Sequence, residues 1–233
     1  MTEPVVTAQT YARWRATTLG GIIERVETNV VLDLLGSLQG RHVLDVGTGD
    51  GAYALQCAAR GAIVTALDLE QEMLDAARAR ALARGVNVTL RRGRAERLPF
   101  DDRSFDVVLG VTVLCFVPDA EVAVREMARV LKPRGRLILG ELGRYSVWAA
   151  ERRVRGWLGA ATWRRAQFWS RTDLEALARK AGLRVIDVRG SVFFVPNGLA
   201  ARLVAPFEPL LTRLRAPGAA FLALAADKAE LPS

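Results

Sequence analysis

The chain has 233 residues, of which 51% are hydrophobic and 25% are charged, and it carries a formal net charge of +8. This composition is typical of a globular protein and excludes a disordered or fibrous one. Two cysteines and one histidine are too few for a disulfide framework, a four-cysteine zinc site or a His-rich metal site, so we expect no metal. Without a long apolar run or a secretory signal pattern, we expect a soluble, cytoplasmic protein with no integral membrane segment.

Short apolar runs alternate with helical patterns in the first part of the chain. The predicted strands cover 41–46, 62–67, 86–90, 105–109 and 136–142. The predicted helices cover 52–60, 70–84 and 119–131. Strands that alternate with helices at this spacing predict a parallel sheet with right-handed crossovers.

The second half of the chain is less regular. Thr172 and Glu175 have the spacing of a capping box, which predicts a helix from there to Gly182. A further helix is predicted over 199–214, and Pro206 and Pro209 should kink or divide it. The strand-like segments that remain are 183–188, 192–195 and 219–225.

A glycine-rich turn, Gly47-Thr48-Gly49-Asp50-Gly51, follows the first predicted strand. Such a turn places backbone N–H groups and a helix N-terminus against a ligand. Asp68 ends the next strand, where a carboxylate can accept hydrogen bonds from ribose hydroxyls. The combination predicts an adenosine-type cofactor without choosing between NAD and S-adenosylmethionine. Asp45 favours S-adenosylmethionine, because a carboxylate repels the pyrophosphate of NAD and attracts a cationic sulfonium.

Five ordered motifs resemble the class I S-adenosylmethionine-dependent methyltransferases, in particular the small-molecule branch with the quinone-biosynthesis C-methyltransferases. The resemblance is close over residues 40–142 and loose elsewhere. The motifs begin with Val43-Leu44-Asp45-Val46-Gly47-Thr48-Gly49-Asp50-Gly51 and Ala66-Leu67-Asp68-Leu69 with Met73-Leu74. The others are Ala95-Glu96-Arg97-Leu98-Pro99-Phe100, Phe105-Asp106-Val107-Val108 with Val117-Pro118-Asp119, and Arg129-Val130-Leu131-Lys132-Pro133-x-Gly135-x-Leu137.

The resemblance implies S-adenosyl-L-methionine as cofactor, S-adenosyl-L-homocysteine as product, and a set of binding residues. It assigns the methionine end of the cofactor to Asp45, Gly47, Thr48 and Gly49, and the ribose to Asp68. The adenine is assigned to Leu69, Met73 and Ala95. The methyl-transfer pocket is assigned to Val111. The family usually has an acid where this chain has Arg94, and arginine cannot accept a hydrogen bond. Either Glu96 replaces that acid or the adenine is held mainly by packing.

The resemblance also implies a doubly wound, Rossmann-like α/β fold. It has seven strands, mostly parallel, with the last one antiparallel near 219–225. We expect one domain over 1–233, divided into an N-terminal helical extension (1–40), a cofactor-binding core (41–142), a lid (143–182) and C-terminal strands and helix (183–233).

The sequence does not identify a catalytic base or the methyl acceptor, and it leaves the oligomeric state open. An Asn/Asp-Pro-Pro-Tyr/Phe motif is absent after the fourth strand, which argues against amino-group methylation of adenine or glutamine. Candidates for a catalytic role are Glu141 at the end of the fifth strand, Cys115, and Tyr11, which could close over the methionine end. The alternatives are a solvated strand end for Glu141 and core packing for Cys115 and Tyr11.

Residues 144–171 form a segment with seven arginines, four tryptophans and one acid. An apolar stripe at helical spacing, Val147, Ala150, Val154, Trp157 and Ala161, predicts an amphipathic helix. We weigh a lid packed on the sheet, a pocket for an acidic or aromatic small substrate, and a surface for nucleic acid or an anionic membrane. The sequence thus favours methylation of a small molecule over an RNA methyltransferase or a non-catalytic S-adenosylmethionine-binding protein, and nucleic acid is the less expected partner.

Overall fold

A computed structural model describes residues 7–230, and seven of its strands form one sheet in the order β3-β2-β1-β4-β5-β7-β6. The strands are β1 (His42–Val46), β2 (Ile63–Asp68), β3 (Val88–Arg92), β4 (Phe105–Val111), β5 (Leu131–Leu142), β6 (Leu183–Ser191) and β7 (Phe221–Lys228). The strands from β3 to β5 pair in parallel, and β7 is antiparallel to both β5 and β6. This is the predicted seven-stranded arrangement with an antiparallel last strand.

Helices cover both faces of the sheet. In chain order they are α1 (Ala8–Ala16), α2 (Thr18–Leu35), α3 (Ala52–Ala58), α4 (Gln71–Arg84), α5 (Ala120–Val130), α6 (Val147–Trp157), α7 (Ala161–Arg165), α8 (Arg171–Lys180), α9 (Gly198–Val204) and α10 (Glu208–Arg213). A 3₁₀ turn, Ala205–Phe207, separates α9 from α10, as the prolines predict.

Alternate residues of the strands point into two separate cores. Val43 packs with residues of α2 and α9, whereas Leu44 packs with residues of α5 and α8. Because successive strand residues face opposite sides, a strand buried on both faces is continuously apolar. This explains why the central strands are mostly apolar on both faces, with the carboxyl groups of Asp45 and Glu141 as buried exceptions.

Residues 192–195 are not a strand, contrary to the prediction from their apolar sequence. Val192 has a φ of +59°, which ends β6 by turning the chain out of the sheet. The backbone N–H groups of Val192 and Phe193 donate to the buried carboxylate of Glu208, at 2.9 and 2.8 Å. A side chain therefore replaces the neighbouring strand as hydrogen-bond partner of this segment.

Two further details differ from the prediction. The capping box of α8 is formed by Ser170 and Asp173, two residues before the predicted pair of Thr172 and Glu175. The predicted apolar face of α6 points outward. Val147, Val154 and Trp157 are exposed, and Trp157 retains 84% of its accessible surface. Trp148 and Ala149 are buried in their place, so the stripe does not pack on the sheet.

Replacing Glu208 with alanine should lower the free energy of unfolding by about 2–4 kcal/mol, because two backbone donors lose a charged acceptor. Urea denaturation of Glu208→Ala measures this loss. Glu230→Ala is the control, since Glu230 is exposed and forms a surface ion pair with Arg134, and it should change stability by less than about 1 kcal/mol. Equal losses in the two variants would contradict the role of Glu208.

Candidate active site

The loop between β1 and α3 is a tight glycine turn held by the end of β2. The N–H groups of Gly47 and Thr48 donate to the carbonyl of Leu67 at 2.8 and 3.0 Å. Gly47 and Gly49 have φ angles of +68° and +56°, a region that favours glycine. A Cβ on Gly47 would also lie 2.5 Å from Cγ2 of Val113. Glycine is therefore needed at position 47 both for the turn and for the close approach of the chain after β4.

Asp68 connects this loop to the start of α4. Its Oδ2 accepts a hydrogen bond from the N–H of Gly49 at 2.8 Å, and its Oδ1 accepts one from the N–H of Glu70 at 3.0 Å. A carboxylate has about four acceptor positions. Asp68 can therefore keep both backbone contacts and still accept hydrogen bonds from a ligand.

Asp45 places a carboxyl group beneath the glycine turn. Its Oδ2 accepts hydrogen bonds from Oγ1 of Thr48 at 2.6 Å and from the N–H of Ala54 at 3.1 Å. Burial raises the pKa of Asp45 to about 6, and the two hydrogen bonds partly oppose this shift. At neutral pH the group is mostly ionised, so it presents a negative charge to the cavity that it lines.

A cavity of about 320 Å³ opens at the carboxyl ends of β1, β2 and β4, where ligands bind in open α/β sheets. All the residues that the family resemblance assigns to the cofactor lie on its wall. They are Asp45, Gly47, Thr48, Gly49, Asp68, Leu69, Met73, Ala95, Glu96 and Val111. The structure thus brings together residues that are up to 66 positions apart in the sequence, although their role in binding stays a prediction.

Arg94 also lines this cavity, next to Glu96. One guanidinium nitrogen of Arg94 lies 3.5 Å from Oε1 of Glu96. The arginine that replaces the usual acid is therefore partly neutralised by the next acid along the chain. The geometry leaves Glu96 as the carboxylate on this part of the wall.

An ion-pair cluster that sequence reasoning missed holds α1 over the glycine loop. The buried carboxylate of Asp50 pairs with Arg15 of α1 and, at 2.7 Å, with Arg80 of α4. The Arg15 guanidinium also lies 4.8 Å above the ring of Tyr11, which lines the cavity. The charge of Asp50 within the turn was visible in the sequence. Its partners, 35 and 30 residues away, had no local signal.

Tyr11 is suited to donate a hydrogen bond in this cavity and unsuited to act as a base. Burial raises its pKa to about 12, and the negative charge of Glu27 adds to the shift. The phenol is therefore protonated at neutral pH.

Glu141 and Cys115 are buried outside the cavity, where Glu141 holds the backbone of the segment after β4. Glu141 is fully buried, and its carboxyl oxygens accept hydrogen bonds from the N–H groups of Leu114 and Cys115 at 2.8 and 3.1 Å. Its interpretation as a solvated strand end is therefore wrong. Burial raises the pKa of the Cys115 thiol well above its usual range, so this cysteine is no thiolate nucleophile at neutral pH. Neither side chain is part of the cavity wall.

Glu27 and Arg152, both within residues 7–230, influence each other electrostatically without a direct ion pair, and sequence reasoning singled out neither of them in this role. Burial raises the pKa of Glu27 to about 8, and the positive charge of Arg152 opposes this shift. Glu27 is close enough to Tyr11 and Tyr53 to raise the pKa of both, and both tyrosines line the cavity. Glu27 is thus a titratable carboxyl group that interacts electrostatically with two tyrosines of the cavity wall.

Most arginines of residues 144–171 make contacts within the protein. The guanidinium of Arg152 lies between the rings of Trp148 and Trp163, at 5.2 and 4.8 Å. The others with such contacts are Arg144 with Asp173, Arg153 over the Phe168 ring, Arg155 with Glu151, Arg164 with the Gly159 carbonyl, and Arg171 with the Val188 carbonyl. The segment therefore offers fewer free cations than its composition indicates.

Within residues 7–230, no group of three or more His, Cys, Asp or Glu side chains is arranged to hold a metal ion. No helix in this part of the chain is long and apolar enough to cross a bilayer.

Comparisons with known proteins point to one family. A family model described as a methyltransferase domain matches residues 44–139. A ubiquinone biosynthesis O-methyltransferase from Coxiella burnetii is 32% identical over 160 residues, which cover 66% of this chain and 68% of that protein. A protein of the same name from Xanthomonas euvesicatoria pv. vesicatoria is 37% identical, covering 67% of this chain and 68% of that one.

A solved structure from Thermotoga maritima has a similar fold over almost the whole chain. It is described as an S-adenosylmethionine-dependent methyltransferase and possible histamine N-methyltransferase. It is 28% identical, covers 94% of this chain and 95% of its own, and has a TM-score of 0.74. The match therefore extends beyond the cofactor motifs to the helices and strands of both ends.

Gly47→Ala and Gly49→Ala separate the two reasons why the loop needs glycine, which are its left-handed backbone conformation and the close approach of Val113. Both place alanine in the left-handed region, which costs about 1–2 kcal/mol, but nothing lies within 4 Å of a Cβ on Gly49. Gly47→Ala should therefore lose about 1–3 kcal/mol more, because its Cβ collides with Val113. Urea denaturation without ligand tests this difference, and equal losses would contradict the close contact.

Proposed function

This chain belongs to the class I S-adenosylmethionine-dependent methyltransferases that act on small molecules, and we propose that its acceptor is an aromatic hydroxyl compound. The relatives named O-methyltransferases support transfer to oxygen. The apolar side chains at the end of the cavity, among them Val113, Phe116 and Val117, support an aromatic acceptor. One observation supports this function above all: the proposed cofactor residues and the two tyrosines whose pKa Glu27 raises lie on the same cavity.

The residues present fit S-adenosylmethionine. The turn at Gly47 and Gly49 leaves room for close approach to the backbone, and the ionised Asp45 would face the cationic methionine end. Asp68 would accept the ribose hydroxyls, and Leu69 and Met73 would pack against the adenine. When bound, the cofactor supplies an electrophilic methyl group, whose transfer to a hydroxyl oxygen yields S-adenosylhomocysteine and releases the hydroxyl proton.

Glu96 is our proposed partner for the adenine edge, with Ala95 beside it. Glu96 retains acceptor positions beyond its 3.5 Å ion pair with Arg94, whereas the guanidinium has none. Val111 would line the methyl-transfer region from the end of β4.

The protein's own contribution at the acceptor end is to orient the hydroxyl, exclude water and accept a proton. Tyr11 and Tyr53 would hold the acceptor between α1 and α3, since both line the cavity there. Glu27 acts on both tyrosines through its charge, and we propose that it receives the hydroxyl proton through a tyrosine hydroxyl, which gives up its own proton as it takes that of the acceptor. Arg152 would stabilise the ionised form of Glu27.

Residues 143–182 are our proposed lid over this end. The N–H of Gln167 donates to the Cys115 carbonyl at 2.9 Å, which attaches the segment to the wall of the cavity. Burial lowers the pKa of Arg152 of α6, and the negative charge of Glu27 opposes this shift. Glu141 and Cys115 then act by positioning this wall. The cytoplasm stays our predicted compartment.

Asp68→Asn should weaken binding of S-adenosylhomocysteine by about 1–3 kcal/mol, because a charged acceptor is replaced by an amide while its shape is kept. Isothermal titration calorimetry measures the change. Asp75→Ala on the exposed face of α4 should bind like the unchanged protein. Tighter binding of NAD than of S-adenosylhomocysteine would contradict the assignment of the cavity.

Glu27→Gln should lower kcat about 100-fold on a phenolic or catechol acceptor, the scale of general-base catalysis. Because Glu27 must be ionised and its pKa is about 8, kcat/KM of the unchanged enzyme should rise with pH up to about 8 and then level off. The variant should lose this rise. Asp33→Asn, at a 71% exposed position of the same helix, is the matched control and should keep it. The readout is labelled methyl in the extracted product, and an unchanged pH profile in Glu27→Gln would exclude Glu27 as proton acceptor.

A further inference from the structure

The segment from α9 to α10 turns an apolar face toward solvent. We call this face the apolar stripe; its members are Leu199, Leu203, Phe207, Leu210 and Leu214, which retain 54–68% of their accessible surface. They recur at intervals of four, four, three and four residues, the spacing of one helix face, and they remain exposed on both sides of the 3₁₀ turn that separates α9 from α10. Contiguous exposed apolar surface of this kind marks an interaction site, whereas scattered single residues do not.

The rotation of this segment is fixed by polar contacts on its opposite side. Glu208 faces inward and accepts the N–H groups of Val192 and Phe193. Thr212 donates from Oγ1 to the carbonyl of Gly190 at 2.8 Å. Ala201 is fully buried in the core shared with α2. A small rotation therefore cannot bury the apolar stripe without breaking buried hydrogen bonds.

Positive charges flank the apolar stripe. Arg202, Arg213 and Arg215 are exposed, and Arg215 lies 3.6 Å from Asp187. Arg202 and Arg213 belong to no ion pair among residues 7–230. Between residues 192 and 220 the acidic residue is Glu208, which is buried. The surface thus combines leucine and phenylalanine with uncompensated arginine, the composition of helices that lie in a membrane interface.

We propose that the apolar stripe, with Arg202 and Arg213 beside it, docks this protein on the surface of an anionic lipid bilayer. The leucine side chains enter the boundary between head groups and acyl chains, while the guanidinium groups contact lipid phosphates. A second copy of the chain fits this surface less well, because a symmetric contact would bring like charges together. RNA fits less well because four of the five stripe residues are aliphatic and cannot stack on bases.

The experiment is co-sedimentation of the full chain with vesicles of phosphatidylcholine alone or mixed with phosphatidylglycerol. We expect binding to the mixed vesicles that weakens with salt, and little binding to phosphatidylcholine alone. The double variant Leu203→Gln/Phe207→Gln should lower the affinity about tenfold or more. Arg202→Gln/Arg213→Gln should lower it about 25-fold at low salt, near 1 kcal/mol for each charge.

Matched controls separate insertion from the general attraction of a basic protein. Leu82 is 77% exposed on α4, so Leu82→Gln removes an exposed leucine elsewhere, and Arg78→Gln/Arg84→Gln removes two exposed arginines of the same helix. Both controls should bind like the unchanged protein. Circular dichroism and cofactor binding confirm that each variant is folded.

Three outcomes would overturn the proposal. The first is vesicle binding that Leu203→Gln/Phe207→Gln leaves unchanged, which would indicate charge attraction alone. The second is a concentration-dependent dimer in light scattering that the same variant abolishes, which would assign the apolar stripe to a second copy. The third is binding of single-stranded RNA that the variant abolishes while no vesicle binding occurs.

Discussion

The loop after β1 is held in place by hydrogen bonds to the end of β2, and the cavity depends on this attachment. The Leu67 carbonyl and the Asp68 carboxylate accept three N–H groups of the glycine turn between them. Because the chain also passes close to Val113, the ends of β1, β2 and β4 converge on one point. A parallel sheet brings these ends to the same edge, and the glycine turn leaves space there in place of side chains.

Local patterns predicted most elements of the sheet and a set of residues that the fold brings to one cavity. The glycine turn, Asp68 and the motif around Ala95 depend on short sequence spacings that a parallel sheet then brings together. Contacts between distant elements were not predictable in this way. Arg15 looks like any exposed helix residue in the sequence, and its pairing with Asp50 is apparent only when α1 lies on the loop. Glu27 acquires its raised pKa from burial in the folded chain, which no local pattern reveals.

Periodicity predicted amphipathic helices but not the direction in which they face. Val147, Val154 and Trp157 do share one face of α6, as predicted. That face points outward because Trp148, on the other side, donates from Nε1 to the Phe194 carbonyl at 2.7 Å. The segment from α9 to α10 also turns its apolar residues outward, because Glu208 on its inner side accepts buried backbone N–H groups. In both cases a few buried hydrogen bonds decide the orientation, since an unpaired buried polar group costs more than an exposed leucine.

Glu141 fixes the path of the chain after β4 from a position outside the cavity. Its two hydrogen bonds go to backbone N–H groups, so they do not depend on which side chains the segment carries. Phe116 and Val117 can therefore be exchanged for side chains of other size or polarity while the backbone keeps its course, whereas Val113 is restricted by its contact with Gly47. Divergence among descendants of this protein can therefore change the apolar lining that we propose for the acceptor, at these two positions, without rebuilding the fold or the loop after β1.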